Sequence, residues 1–259
     1  MRLFTGLVLA NEPVGDGLFM LSMAAPEVAD EAEPGQFIHL RCAPPNSDDP
    51  LLRRPISVFR ARDDMLWLYY DSVGRGTRYL SRLSTGDPVD CLGPLGRGFR
   101  PVRGARNVLM VGGGIGLAPL SMFADELLDD DVSVTIVAGF RTAARALDPR
   151  WLDPRVEYRV ATDDGSLGHS GLVTDLVADL LDWSDHICGC GPARMLESLV
   201  RVAGATSKPI HVSLEERMAC AMGVCLSCAV RARDGVRRVC RDGPVFDART
   251  LRDVQWRSA

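Results

Sequence analysis

Four cysteines near the C-terminal end of the chain have the types and the spacing for metal chemistry. Cys220, Cys225, Cys228 and Cys240 are separated by four, two and eleven residues. The order C-x4-C-x2-C…C is the plant-type [2Fe–2S] spacing, in which one tight loop supplies three thiolates and a returning segment supplies the fourth. Met222, Gly223 and Ser227 are small or flexible enough to let backbone N–H groups approach bridging sulfides, which tunes the potential of such a centre. A zinc site usually repeats C-x2-C twice, and here only Cys225 and Cys228 form such a pair. A disulfide framework needs an oxidising compartment, which nothing in the sequence supports.

Two stretches further upstream have the chemistry to hold a nucleotide. In Leu51-Leu-Arg-Arg-Pro-Ile-Ser-Val-Phe59, Arg54 and Ser57 flank Pro55-Ile56 and can reach a phosphate and a ring. Tyr69-Tyr-Asp-Ser-Val-Gly-Arg-Gly-Thr77 is a glycine-rich loop before a helix-like segment at Thr77–Leu83. Its amides and the Thr77 hydroxyl suit a pyrophosphate. Each stretch reads equally well as a strand, a turn and a capped helix. Gly112-Gly-Gly-Ile-Gly-Leu-Ala-Pro-Leu120 is not a G-x-G-x-x-G, because Leu117 stands where the third glycine belongs. It reads as a strand-to-helix turn that lets backbone approach a ligand phosphate. Thr162-Asp-Asp-Gly-Ser166 and Cys190-Gly-Pro192 both follow expected strands, where ligands of open α/β sheets bind. Each is also an ordinary turn.

The elements that would position these groups fall into three parts. Over residues 1–100, short apolar runs at Leu3–Ala10, Leu18–Met23, Phe37–Arg41, Ile56–Phe59, Leu66–Tyr70 and Pro88–Leu92 are divided by turn residues, the pattern of a small antiparallel β-barrel. Pro101 and Gly104 mark a linker. Residues 101–208 alternate strands (Asn107–Val111, Val132–Ala138, Val156–Ala161, His186–Cys190) with helices (Pro119–Leu128, Leu172–Leu181, Ala193–Val202), a doubly wound α/β unit. Residues 209–259 carry the cysteine loop and a hairpin turning at Asp234-Gly235, with Arg231, Arg233, Arg237 and Arg238 on a solvated face.

Composition narrows the function classes. Apolar residues make up 46% of the 259 and charged residues 25%, as in a soluble globular protein. A net charge of −4 without a basic face argues against nucleic acid. No stretch approaches the length of a membrane span. Met1–Ala10 has the look of a weak export signal, but Thr5 and Gly6 interrupt it and no small-residue cleavage site follows, so it reads as a first strand. Eight cysteines without an export signal point to the cytoplasm and to metal chemistry. His39, His169, His186 and His211 show no metal or triad spacing, and no G-x-S-x-G occurs, which disfavours hydrolase chemistry.

Arg54-Pro-Ile-Ser57, Gly76-Thr77, Gly93-Pro-Leu-Gly96, Gly112-Gly-Gly-Ile-Gly116 and Cys190-Gly-Pro192 occur in the order found in ferredoxin-reductase-like flavoproteins. Ser213-Leu-Glu-Glu-Arg-Met-Ala-Cys220 through Val239-Cys-Arg-Asp-Gly-Pro-Val-Phe246 resembles one branch of them, the electron-transfer subunits of NAD-dependent dihydroorotate dehydrogenase B. The resemblance runs nearly end to end, and its cysteine tail is the most specific part. It implies FAD in the barrel, NAD at the α/β unit and a [2Fe–2S] cluster in the tail. It carries FAD contacts onto Arg54, Pro55, Ile56, Ser57, Tyr69, Tyr70, Asp71, Gly76 and Thr77. Cluster ligation falls on Cys220, Cys225, Cys228 and Cys240. The nicotinamide nucleotide falls to Gly112, Gly113, Gly114 and Gly116 with Cys190, Gly191 and Pro192.

The chain departs from the family pattern twice. Asp71 stands where the family usually has Arg; a carboxylate repels a pyrophosphate, so contact there would run through backbone, with Arg53, Arg75 or Arg78 as replacement cations. Ala221 replaces the usual glycine after the first cluster cysteine; if φ must be positive there, its Cβ costs about 1 kcal/mol. The implied activity is electron transfer from the FMN of a dihydroorotate dehydrogenase catalytic subunit, through [2Fe–2S] and FAD, to NAD⁺ in pyrimidine biosynthesis. The implied assembly is a heterotetramer of two plus two, and no group of this chain is expected to act on dihydroorotate. The alternatives are a related flavin/iron–sulfur NAD(P)H reductase subunit serving ferredoxin or a sulfur-compound reductase, and a regulator that binds cluster and nucleotide without turnover. Val245, where ferredoxin-type relatives often carry an acid, favours the dihydroorotate branch.

Overall fold

The computed structural model describes residues 1–251. Six antiparallel strands, β1 (Arg2–Gly15), β2 (Leu18–Ala24), β3 (Phe37–Leu40), β4 (Arg54–Arg62), β5 (Met65–Asp71) and β6 (Pro88–Leu95), close a barrel in the order β1-β2-β5-β4-β3-β6. Alternation drives the closure. Phe4, Gly6 and Val8 of β1 are buried while Leu3, Thr5 and Leu7 between them are exposed. Each of the six expected runs falls on one of these strands, Phe37–Arg41 running one residue past β3. A short helix, α1 (Arg75–Leu80), follows β5, somewhat earlier than the expected Thr77–Leu83.

The second unit is a parallel sheet. Its strands are β7 (Asn107–Gly113), β8 (Ser133–Phe140), β9 (Glu157–Thr162), the two-residue β10 (His169–Ser170), β11 (His186–Cys190) and β12 (Ile210–Ser213). Helices α2 (Leu117–Asp129) and α3 (Ala193–Ala203) follow β7 and β11. The run Val108–Val111 is buried throughout, as a central parallel strand covered on both faces must be. On α3, Leu196, Leu199 and Ala203 face the core while Arg194, Glu197 and Arg201 face solvent, a helical period.

The expected helix at Leu172–Leu181 is replaced by two 3₁₀ turns, Val173–Leu176 and Ala178–Leu180. Val173, Thr174 and Val177 are β-branched, and Asp175 and Asp179 favour turns over helix interiors. Val173, Val177 and Leu180 are nonetheless buried with Leu109, Val111 and Val137 of the sheet, so packing is satisfied without a regular helix.

The cysteine segment forms a hairpin, β13 (Ala229–Ala232) and β14 (Gly235–Arg238), turning at Arg233-Asp234, one residue before the expected Asp234-Gly235. It continues into a single helical turn, α4 (Val239–Asp242), and a strand, β15 (Val245–Asp247). β15 pairs antiparallel with β12 and completes the sheet order β10-β9-β8-β7-β11-β12-β15. One apolar core contains Phe37, Leu92 and Leu95 of the barrel, Ile187 and Val212 of the sheet, and Ala221, Cys228, Val239, Cys240 and Phe246 of the cysteine segment. At Gly96, whose φ is +86°, a Cβ would lie 2.6 Å from Cδ of Pro244. Barrel and tail therefore meet there at backbone distance. No helix among the described residues is long and apolar enough to cross a membrane.

Candidate functional site

Two clefts open between the barrel and the sheet and meet at a common wall. The first, of about 580 Å³, is lined by Arg54, Pro55, Ile56, Ser57 and Tyr69 of the barrel, Ile115, Gly116 and Cys190 of the sheet unit, and Glu215, Arg217 and Met218 leading to the cysteines. The second, of about 690 Å³, lies outside the carboxyl ends of β7, β8, β9 and β11, where open α/β sheets bind ligands. Its lining includes Gly113, Gly114, Arg141, Asp163, Pro192 and Arg194. Val73, Ile115 and Glu215 belong to both linings. Both volumes suit an organic ligand.

Two polar groups on the barrel side of the first cleft stand out. The Tyr69 hydroxyl is buried and, among the described residues, without a hydrogen-bond partner. Arg54 donates to the carbonyls of Leu52 and Arg53 and, among the described residues, pairs with no carboxylate. An orphaned hydroxyl and an uncompensated guanidinium beside an apolar floor suit the phosphates and ring of a flavin nucleotide. Gly76 is held against the Arg54 side chain, where a Cβ would come within 3.0 Å of Nε. The Thr77 hydroxyl caps the Gly74 amide at 3.2 Å. Tyr70 is separated from this wall: its ring lies in the barrel core and its hydroxyl donates to Asn11 Oδ1 at 3.1 Å.

Asp71 also points elsewhere. Its carboxylate pairs with Arg145 of the sheet unit, and both line the second cleft rather than the first. The cations expected to compensate it are engaged: Arg53 with Asp90 at 2.6 Å, Arg75 with Asp49, and Arg78 with the Val73 carbonyl at 3.2 Å.

The glycine loop is built mostly around protein. A Cβ on Gly112 would enter the Leu117 side chain, one on Gly113 would lie 2.6 Å from Cδ of Pro192, and one on Gly116 would overlap the Cys190 carbonyl. Gly191, at φ +152°, packs against the Gly113 backbone. Only Gly114, at φ +53°, has nothing within 4 Å of such a Cβ and faces open cleft. Cys190 is buried between the first cleft and the sheet, and burial pushes its thiol well up, so it stays protonated. Glu215 is open to the clefts on one side and enclosed by protein on the others, and that enclosure raises its carboxyl above the ordinary range.

The four cysteines surround one loop. The amides of Val224 and Cys225 both approach Cys220 Sγ at 3.4 Å, and the amide of Cys240 approaches Cys228 Sγ at 3.5 Å. Ser227 ties the loop through the Ala219 amide at 3.1 Å and sits 3.2 Å from Cys225 Sγ. That hydroxyl, with loop amides, lowers the exposed Cys225 thiol to about 6, whereas burial pushes Cys240 up to about 12. Ala221, at φ +56°, and Leu226, at φ +60°, make the turns that bring the sulfurs round. Among the described residues no three of His, Cys, Asp and Glu converge on one point as a single metal ion would need. A two-iron cluster asks less, since it divides four thiolates between two irons.

Comparison with known proteins agrees with this geometry. A family model described as the iron–sulfur cluster binding domain of dihydroorotate dehydrogenase B matches residues 215–252. The dihydroorotate dehydrogenase B (NAD(+)) electron transfer subunit of Desulforamulus reducens is 40% identical over 255 residues, covering 95% of this chain and 96% of that one. The chain belongs to this family. The subunit of the same name from Clostridium acetobutylicum is 38% identical over 92% of this chain and 93% of its own. A solved structure of an NADH-dependent reduced ferredoxin-NADP oxidoreductase, described for flavin-based electron bifurcation, superposes with a TM-score of 0.84 at 29% identity, covering 97% of this chain and 90% of that one. The barrel, nucleotide-binding α/β region and cluster segment of the electron-transfer subunits are thus all present.

Glu215, Val73 and Arg145 escape sequence reasoning. Glu215 follows the carboxyl end of β12, which is where a ligand-facing group belongs, but β12 lies in a stretch otherwise dominated by the cysteines. Arg145 lies 74 positions from Asp71 and has no local signal.

Proposed function

We propose that this chain carries electrons from the reduced FMN of a dihydroorotate dehydrogenase catalytic subunit, through a [2Fe–2S] cluster and FAD, to NAD⁺. A flavin exchanges both hydride pairs and single electrons, which nicotinamide and an iron–sulfur cluster do only separately. The work of this chain is placement. Arg54, Ser57 and the orphaned Tyr69 hydroxyl hold FAD in the first cleft, with Pro55, Ile56, Gly76 and Thr77 shaping its wall. Gly114, Pro192, Arg141 and Arg194 hold the nicotinamide nucleotide in the second, and Asp163 offers a carboxylate to ribose hydroxyls. Cys220, Cys225, Cys228 and Cys240 hold the cluster.

The observation that carries this is the shared wall. Val73, Ile115 and Glu215 line both clefts, while Arg217 and Met218 lead from the first cleft directly to Cys220. A two-electron and a one-electron partner would thereby both reach one flavin site. We further propose that residues 1–100, 101–208 and 209–259 serve FAD, NAD and the cluster respectively. A two-plus-two assembly with the catalytic subunit is inferred from family membership. The cytoplasm suits eight cysteines, none of which is bridged.

The test is anaerobic co-purification with the catalytic subunit, followed by visible and low-temperature EPR spectra and a coupled assay. Flavin absorbance, a reducible two-iron signal and dihydroorotate-dependent NADH formation are expected. Loss of either signal would refute the electron path, and coupling to ferredoxin in place of dihydroorotate dehydrogenase would reassign the partner.

A further inference from the structure

The second cleft contains three arginines, and they are held very differently. Among the described residues Arg141 and Arg194 pair with no carboxylate. Arg145 is fixed from across the domain boundary. Its Nη2 pairs with the Asp71 carboxylate at the end of β5, and its Nη1 donates to the Asp16 carbonyl at 2.7 Å. The backbone beneath is locked in the same direction, since the Asp16 amide donates to the Ala144 carbonyl at 2.9 Å and the Ser72 amide to the Gly17 carbonyl at 2.8 Å. Gly17 beneath the pair has φ +72°, a left-handed turn that glycine adopts without strain. The two side chains are 18% and 28% exposed, so the pair is largely shielded from solvent yet opens onto the cleft.

We propose that Asp71 is a positioning residue that presents Arg145, from the opposite domain, as the pre-set phosphate-binding cation of the nicotinamide nucleotide cleft. This rests on the assignment of that cleft to the nucleotide. A guanidinium has five N–H donors in a planar fork. The bonds to Asp71 and Asp16 take two, and the others stay free for phosphate oxygens. Anchoring removes rotamer freedom before the ligand arrives, so less entropy is lost on binding. Arg141 and Arg194 have no such carboxylate anchor among the described residues, so more rotamer freedom is lost when a phosphate fixes them. The pair faces the second cleft and not the first, so its effect falls on the nicotinamide nucleotide and leaves FAD in place.

The experiment uses the FAD-loaded protein and ADP-ribose, which supplies the adenosine and pyrophosphate of the nucleotide without its reactive ring. Arg145→Gln should weaken ADP-ribose binding about tenfold or more, the loss of one charge-assisted contact. Asp71→Asn, which keeps the arginine and removes its anchor, should weaken binding severalfold, and Asp71→Glu should recover most of the loss. KM for NADH should rise in parallel, with the limiting rate of flavin reduction and the FAD content moving far less. Wild-type affinity in either Arg145→Gln or Asp71→Asn, or loss of FAD in place of ADP-ribose, would overturn the proposal. If Arg145→Gln fails to fold, the Asp71→Asn and Asp71→Glu pair decides alone. FAD-loaded wild-type protein that binds no ADP-ribose would overturn the assignment of the cleft and the proposal with it.

Discussion

Replacing Gly116 by Ala adds one methyl group at the crossing of the glycine loop and the Cys190 loop. Its backbone is helical (φ −61°, ψ −10°), so conformational strain is not at issue and the effect is one of space. The new Cβ would overlap the Cys190 carbonyl oxygen, lie 2.5 Å from its carbon and 2.8 Å from the Gly191 nitrogen. Carbon atoms rest at about 3.5–4.0 Å, so one loop must retreat by about 1 Å. Both are backbone, pinned by β7 and β11, and neither has a side chain to rotate away. Overpacking of this kind costs about 1–3 kcal/mol, and the stiffer unfolded chain returns about 0.4–1 kcal/mol. A net loss of about 1–2 kcal/mol corresponds to a fall in Tm of about 2–8 °C for a chain of this size. The functional loss should exceed the structural one. Gly116 and Cys190 together line the cleft proposed for FAD, and a 1 Å misplacement near reacting groups can cost about a hundredfold in rate. Stopped-flow reduction of bound FAD by saturating NADH measures this directly, and Gly114→Ala is the comparison for thermal stability. That substitution carries the strain of φ +53° but meets no atom within 4 Å, so it should lower stability by about 1 kcal/mol without moving the Cys190 loop. A Gly116→Ala protein with wild-type Tm and wild-type flavin reduction would show that the crossing tolerates an atom the packing excludes.

Cys225→Ser should leave FAD reduction by NADH near wild type and abolish transfer to the catalytic subunit; unchanged coupled turnover would remove the cluster from the path. At Ala221, φ is +56° and the side chain is 1% exposed. Changing it to Gly relieves about 1–2 kcal/mol of left-handed strain but loses about 0.8 kcal/mol of buried methyl and about 0.4–1 kcal/mol through a looser unfolded chain. Ala221→Gly should therefore alter stability by less than about 1 kcal/mol, whereas Ala221→Val should destabilise by more than about 2 kcal/mol; thermal unfolding of the cluster-loaded proteins distinguishes them. Acid sensitivity should come from two buried imidazoles, His39 and His186, both held down to about 4, and His186 is fully buried and 2.7 Å from His211. Burial first, and the neighbouring ring second, hold its imidazole down to about 4 from an ordinary 6.5. Between those values the unfolded chain binds the proton and the folded one does not. Its contribution is thus intact above pH 6.5 and is lost progressively on acidification, by about 3 kcal/mol near pH 4. Urea unfolding across that range should fall less steeply in His186→Gln; identical slopes would refute the assignment.

The parts legible in the sequence are those set by local pattern. The cysteine spacing, the alternation of Phe4, Gly6 and Val8, and the apolar run His186–Cys190 each encode their structure within a few residues. A positive φ at Ala221 is raised as a condition only by the family resemblance, in which glycine usually follows the first cluster cysteine, and the structure has φ +56° there. What stayed hidden depends on distant partners. Asp71 reads as an ill-placed charge beside a pyrophosphate until Arg145 arrives from the other domain. The glycines at 112, 113 and 116 read as a phosphate cradle, yet it is Leu117, Pro192 and Cys190 that forbid a side chain there. Leu172–Leu181 has helical spacing but β-branched content, and the sheet face accepted it as two short turns.

The pairing of β15 with β12 has a consequence for how the chain can be cut. Without Val245–Asp247, the strand Ile210–Ser213 would present unpaired amides and carbonyls along its full length, with Val212 beside them. Unprotected borders of this kind recruit strands from other molecules. The metal-bearing tail is therefore also the selvedge of the nucleotide-binding sheet. Trimming it away to obtain a simpler flavoprotein should yield a sticky, self-associating product instead of a clean diaphorase.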